Sequence, residues 1–248
     1  MTRFDGRKPD ELRPVTIQCD FLSHPLGSAL ISCGGTRVIC AATVENKVPG
    51  WMKAQQVPGG WITCEYGMLP ASTHSRMKRE SSAGKQGGRT VEIQRLVGRS
   101  LRMAGDLLKL GENTVSLDCD VIDADGGTRC ASITGASVAF QLAALRGVSS
   151  GMFAESPFIT PVAAVSVGII GGVPMLDLCY EEDSNAEVDM NVIMTAAGEL
   201  VEVQGTAEGK PFSRARLNEL LDLAEHGLKQ LFEMQKKAVE TALQGGNE

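Results

Sequence analysis

The sequence predicts a mixed α and β fold, either α/β or α+β, organised around one central strand-to-helix junction. Three patterns carry that expectation. Strand-like runs near 15–21, 28–45 and 59–66 come before any long helix. Residues 114–122 then alternate at period two, with Val115, Leu117, Cys119 and Val121 apolar. Helical spacing follows on both sides of that strand, over 91–110 and 132–145, so strands and helices alternate through the middle of the chain.

Taken in order, the first feature is a turn. Gly34, Gly35, Thr36 and Arg37 lie between two strand-like runs, 29–33 and 38–44, which is the setting of a β-hairpin. Next comes Gly84-Lys-Gln-Gly-Gly-Arg-Thr90, followed by a periodic helix over 91–110 with Ile93, Leu96, Val97, Leu101, Ala104 and Leu108 facing inward. Arg89 thus stands beside a helix N-terminus. A cation there opposes the helix dipole by about 0.3–1 kcal/mol, a placement that makes better sense with an anion between them, although a surface arginine costs little.

The tetrapeptide Gly-Gly-Thr-Arg then recurs as Gly126, Gly127, Thr128 and Arg129, between the 114–122 strand and the helix over 132–145, where Ile133, Val138, Leu142 and Leu145 are apolar. Here the glycines permit a sharp turn and close backbone approach. The free N–H groups of the helix start face a bound anion, and Arg129 adds a two-pronged contact. Because the same four residues also read as a hairpin turn at 34–37, the tetrapeptide decides nothing by itself.

Further on, 176–183 alternates, with Leu176, Leu178 and Tyr180 opposite Asp177, Cys179, Glu181 and Asp183. Val188, Met190, Val192 and Met194 form the apolar face of another strand and leave Asp189 and Asn191 on its reverse. If these runs pair across a turn near 184–186, Asp183 and Asp189 project from one face. Two such carboxylates suit Mg²⁺, which takes one or two of them with waters and phosphate oxygens. On pattern alone a solvated acidic hairpin accounts for them somewhat better. A last helix, about 214–243, carries Leu217, Leu220, Leu221, Ala224, Leu228, Leu231 and Phe232 at helical spacing, fit to cover its own sheet or to serve an interface.

Composition sets outer bounds. The 248 residues allow one large domain or two small ones, and no linker or charge shift divides them, so 1–248 is expected to form a single domain. A net charge of −6 argues against a protein that coats nucleic acid. Even so, residues 71–89 hold five basic residues (Arg76, Lys78, Arg79, Lys85 and Arg89) against one acid, and are expected to form a loop. The start of the chain lacks an apolar signal core, and no segment is long and apolar enough to span a bilayer. Seven scattered cysteines without a C-x-x-C pair point to reduced thiols and a cytoplasmic setting.

The longer motifs are more specific. Asp5-Gly-Arg7 with Asp10-Glu-Leu-Arg-Pro14, Glu65-Tyr-Gly-Met-Leu-Pro70, the 84–96 segment, Asp118-Cys-Asp-Val121 with Ala124-Asp-Gly-Gly-Thr-Arg129, Ala131-Ser-Ile-Thr-Gly-Ala136 and Val203-Gln-Gly-Thr-Ala-Glu-Gly209 occur in one order along nearly the whole chain. Together they resemble the bacterial ribonuclease PH family of phosphate-dependent 3′–5′ exoribonucleases, which trim tRNA 3′ ends. The resemblance implies an α+β fold with a βαβα core like a domain of a ribosomal small-subunit protein, and a homohexamer built as a trimer of dimers. It implies orthophosphate as co-substrate held by Arg89, Gly127, Thr128 and Arg129, with Asp183 and Asp189 binding Mg²⁺ or Mn²⁺ or moving a proton. It also favours RNA contacts by Arg76, Lys78, Arg79, Arg95 and Arg99.

The reaction it implies attacks the last phosphodiester with phosphate, releases a nucleoside diphosphate and runs in reverse to extend RNA. This chain departs from the family at Ala71, where an arginine is usual, and at Asp123, Cys179 and Asn185. His24, His74 and His226 lie outside the matched site segments, so a histidine-based nuclease is not indicated. A non-catalytic RNA-binding ring subunit is the rival reading, opposed by intact Arg89, Arg129, Asp183 and Asp189. A polynucleotide phosphorylase would need two copies of this core.

Overall fold

The computed structural model describes residues 3–245. Its first half is a five-stranded sheet in the order β1–β2–β3–β5–β4, formed by β1 (Val15–Cys19), β2 (Gly27–Cys33), β3 (Thr36–Glu45), β4 (Trp61–Met68) and β5 (Thr114–Asp123). Neighbours run antiparallel except β4 and β5, which are parallel. Parallel neighbours need a crossover, supplied by α3 (Gly88–Met103), and α4 (Thr128–Ser149) follows β5 directly. The β4–α3–β5–α4 succession is the βαβα unit of an α+β fold. Short helices α1 (Gly50–Ala54) and α2 (Glu80–Ala83) lie in the connections.

The second half is an antiparallel sheet in the order β7–β6–β8–β9, from β6 (Val162–Ile170), β7 (Val173–Leu176), β8 (Val188–Thr195) and β9 (Leu200–Ala207). Between β7 and β8 lies α5 (Tyr180–Asp183), and α6 (Arg214–Gly245) closes the described chain. Helix α4 packs against β2 and β3 on one side and β6 on the other. A helix between two sheets must be apolar or small all round, which accounts for its run of buried Ala, Gly, Ser and Thr. Strand β6 is in turn covered on its second face by α6, so nearly all of it is buried. Leu220, Ala224, Leu228 and Leu231 of α6 share a core with Val188, Met190, Val192 and Met194 of β8, so this helix covers its own sheet.

Three expectations change. The inward helix over 91–110 ends at Met103: Asp106 accepts hydrogen bonds from the backbone N–H groups of Leu108 and Lys109, forming a separate turn that leaves Leu108 67% exposed. The helix over 132–145 is longer, Thr128–Ser149, and so starts within the glycine motif itself. Most consequentially, 176–183 is not a strand paired with β8. Strand β7 stops at Leu176, Asp177 takes a left-handed φ of 53°, and 180–183 is helical.

That break is imposed from the N-terminus. Arg13 grips the Asp177 carboxylate through Nε (3.0 Å) and a terminal nitrogen (2.7 Å), and Arg3 grips Glu182 at 2.8 and 2.6 Å. Burial would raise the Asp177 and Glu182 carboxyls, but the adjoining arginines hold both below their ordinary values. Stripped of either partner, a buried charge of this kind typically costs about 3–5 kcal/mol, more than two residues of strand alternation can offset.

Candidate active site

The site grows from the start of α4. Gly126 and Gly127 both take left-handed φ, 73° and 66°, so residues 124–127 are enough to turn the chain from β5 into the helix. A Cβ at Gly126 would lie 2.8 Å from the Leu178 carbonyl oxygen and the Tyr180 nitrogen, so glycine here also lets α5 approach. Thr128 is buried at the first helical position, and the Tyr66 hydroxyl of β4 donates to its Oγ1 at 3.0 Å. Burial raises the Tyr66 hydroxyl, opposed by the bond to Thr128 and by the charges of both Arg89 and Arg129. The two arginines therefore both act electrostatically on one hydroxyl, although 40 residues separate them in sequence.

Arg129 is half-buried and donates to Gln204 at 3.1 Å and, more weakly, to Glu92 at 3.4 Å. Gln204 is itself fixed, its amide donating to Glu202 at 3.0 Å, and Glu202 pairs with Arg99 at 3.0 Å. Arg89 is exposed in the first turn of α3. Its helix start is held by Glu80, which accepts from the Gly87 N–H at 2.9 Å and the Thr90 hydroxyl at 2.7 Å.

The carboxylates come from the second half of the chain. Asp189 lies on the face of β8 that looks toward α4, as the alternation with Val188, Met190 and Val192 requires. Asp183 reaches the same place from the last residue of α5, so the pair converges by a helix and a strand rather than across a hairpin. Burial first, and the charge of Asp183 second, push the Asp189 carboxyl up to about 6, with Arg129 pulling it back. Asp189 Oδ1 is buried without a hydrogen-bond partner. Two close carboxylates with an orphaned buried oxygen fit a hard divalent cation. No set of three or more acidic, cysteine or histidine ligands is found among the described residues, so two carboxylates would leave the rest of the shell to water and phosphate.

Among the RNA-contact candidates, Arg76, Lys78 and Arg79 are exposed before α2, which interrupts the expected basic loop. Arg95 and Arg99 are exposed on α3 along a groove of about 360 Å³ that ends at Glu202 and Gln204. The sequence pattern assigns no role to Tyr66, Glu92, Glu202, Gln204 or Thr36. Thr36 is the least visible from sequence: its hydroxyl donates to the Gly126 carbonyl at 2.6 Å and accepts from the Asp125 N–H at 2.8 Å, bracing one glycine motif with the other. Tyr66, Glu92 and Gln204 do fall inside the 65–70, 84–96 and 203–209 motifs, the one available signal.

A helix start with two left-handed glycines, with Arg129 beside it and a carboxylate pair nearby, has the features of an anion-binding site. The chain belongs to the 3′ exoribonuclease family, whose domain 1 matches residues 11–146 and domain 2 residues 160–227. It is 54% identical over 237 residues to a ribonuclease PH of Neisseria meningitidis, covering 96% of this chain and 97% of the relative. A ribonuclease PH of Roseobacter denitrificans is 54% identical over 236 residues, covering 95% and 99%. A chain of an Archaeoglobus fulgidus exosome, solved with RNA bound to its active site, matches with a TM-score of 0.79 at 24% identity over 93% of this chain and 91% of its own, a likeness of fold.

Proposed function

We infer that the protein is a phosphorolytic 3′–5′ exoribonuclease that trims tRNA precursors, and that the cradle at Gly126–Arg129 is where it holds phosphate. Family membership at this identity over nearly the whole chain carries the activity; the single observation that carries the site is the helix start behind two left-handed glycines, with Thr128 buried against the Tyr66 hydroxyl and Arg129 next to it. Phosphate bound by Arg89, Thr128, Arg129 and the Gly127 amide attacks the phosphorus of the last phosphodiester in line. A P–O bond to phosphate forms, the bond to the 3′ oxygen breaks, and a nucleoside diphosphate leaves with an RNA one nucleotide shorter. Arg129 offsets charge on the transferring oxygens.

Proton balance closes inside the site. The attacking hydrogen phosphate loses one proton, the leaving 3′ oxygen gains one, and Asp189 carries it between them, a role supported by its Oδ1 having no other partner. When bound by Asp183 and Asp189, Mg²⁺ or Mn²⁺ would supply further positive charge to the same oxygens. Because one phosphoanhydride replaces one phosphodiester, the step runs backwards when phosphate is scarce and extends RNA from nucleoside diphosphates.

Arg76, Lys78, Arg79, Arg95 and Arg99 line the approach and serve the RNA backbone. Chain 1–248 acts as one unit, since α4 contributes to a core shared by both sheets. Assembly as a homohexamer and residence in the cytoplasm complete the proposal; no helix among the described residues is long and apolar enough to cross a membrane. A non-catalytic ring subunit would not need the Arg129 and Asp189 arrangement. Incubation with a 3′-extended tRNA precursor, Mg²⁺ and labelled phosphate tests the reading: label should enter nucleoside diphosphate, and release of nucleoside monophosphate without phosphate would refute it.

A further inference from the structure

Beside the cradle, two exposed aromatic rings meet. His74 and Tyr180 lie with ring centroids 5.9 Å apart at an angle of 41°. Both are tied to the chain that enters the glycine motif. The Tyr180 N–H donates to Asp125 Oδ1 at 3.2 Å, and the Ser72 carbonyl, two residues before His74, accepts from the Ala124 N–H at 2.8 Å. Tyr180 opens the short helix that ends in Asp183, and its nitrogen abuts Gly126. His74 lies against the phenol ring, and Tyr180 stays 57% exposed. Arg76, Lys78 and Arg79 follow immediately. An aromatic ring open on one face, fixed by backbone contacts and continued by cations, is what single-stranded nucleic acid uses: bases stack on the ring while the backbone follows the charges.

We propose that Tyr180, backed by His74, is a stacking platform for one nucleobase at the 3′ end of the bound RNA, positioning the scissile phosphodiester over the phosphate cradle. The proposal rests on the phosphorolytic reading for its purpose. Stacking is indifferent to base identity, so the platform grips every nucleotide in turn as the chain shortens. It would also hold the RNA end between one round of cleavage and the next.

The test uses oligoribonucleotides carrying a single abasic residue at each of the last four positions, with binding to full-length protein measured without phosphate. At one position the abasic RNA should bind more weakly than intact RNA by about 5- to 150-fold, the scale of a lost aromatic–base stack. Tyr180→Ala should lose a similar factor on intact RNA and nothing further on that abasic RNA. Tyr180→Phe should restore binding, and His74→Ala should show an intermediate loss with the same positional signature.

Equal losses for intact and abasic RNA in Tyr180→Ala, or no position at which the wild type senses a missing base, would overturn the platform. Phosphorolysis by the wild type is scored separately. Loss of nucleoside diphosphate release would sink the proposed function while leaving the binding contrast readable.

Discussion

The two Gly-Gly-Thr-Arg sequences are identical in residue type and opposite in setting. At Gly34–Arg37 only the first glycine takes left-handed φ, the chain turns between antiparallel strands, and Arg37 ends on the surface paired with Asp123 at 2.9 Å. At Gly126–Arg129 both glycines are left-handed, the chain runs into a helix of 22 residues, and Arg129 is half-buried against Gln204. The element that the motif leads into decides its chemistry. A strand continues the hydrogen-bond ladder and consumes the backbone N–H groups, whereas a helix start leaves them free to face an anion. The copies are nevertheless not independent, because Thr36 of the first braces Gly126 of the second.

Arg129→Ala should break the second copy most severely, lowering phosphorolysis by roughly 10²–10³-fold, the scale for one preorganised charge-stabilising donor, with the fold intact. Arg37→Ala should leave turnover nearly unchanged in the same assay. Similar losses at both positions would erase the contrast between turn and cradle.

Asp183→Asn and Asp189→Asn should each weaken the response to Mg²⁺, since an amide keeps the oxygen but loses the charge that holds a hard cation. An unchanged titration in both would mean that the pair holds no metal. Asp189 also makes a pH statement. Its folded carboxyl, at about 6, binds a proton more tightly than the ordinary 3.8, so stability falls as pH rises from about 4 through 6. In metal-free protein Asp189→Asn should therefore raise Tm at pH 7, with the gain fading by pH 4; a gain independent of pH would contradict this origin.

Thr36→Val probes the link between the copies. It leaves the Gly126 carbonyl and Asp125 N–H without their partner, which should lower stability by about 1–3 kcal/mol and raise the KM for phosphate several-fold. Unaltered phosphate KM would mean the first copy is only a turn. The smallest effect is expected at Ala71, exposed three residues before His74. Ala71→Arg should steepen the slope of log K against log salt for a tRNA precursor by about 0.7 for a single-stranded contact, or about 0.9 for a duplex one. Parallel plots would show that this position meets no phosphate.

The central elements are legible in the sequence because their signals are local. Period two over β5, helical period over α4 and two intervening glycines specify the junction without help from elsewhere. The face of β8 is legible for the same reason, and places Asp189 correctly. The 176–183 segment is not, because its alternating Leu176, Leu178 and Tyr180 satisfy a strand pattern while its conformation is set by Arg3 and Arg13, more than 160 residues away. Leu108 misleads in the other direction: a leucine at the right spacing counts toward a helix even where a side-chain-capped turn has ended it. Tyr66, Gln204 and Thr36 act through partners on other strands, and no spacing rule announces such a meeting. His74 carries no local signal either, since its partner Tyr180 lies more than 100 residues further on.

Calorimetric titration of inorganic phosphate into the wild type, Arg37→Ala and Arg129→Ala, all at one oligomeric state, tests the central claim most directly. Phosphate should bind the wild type and Arg37→Ala with the same affinity and stoichiometry, and binding to Arg129→Ala should be lost or weakened by at least about tenfold, the scale of one charge-assisted contact. Unchanged phosphate binding in Arg129→Ala, or an equal loss in Arg37→Ala, would contradict the assignment of the anion site to the start of α4.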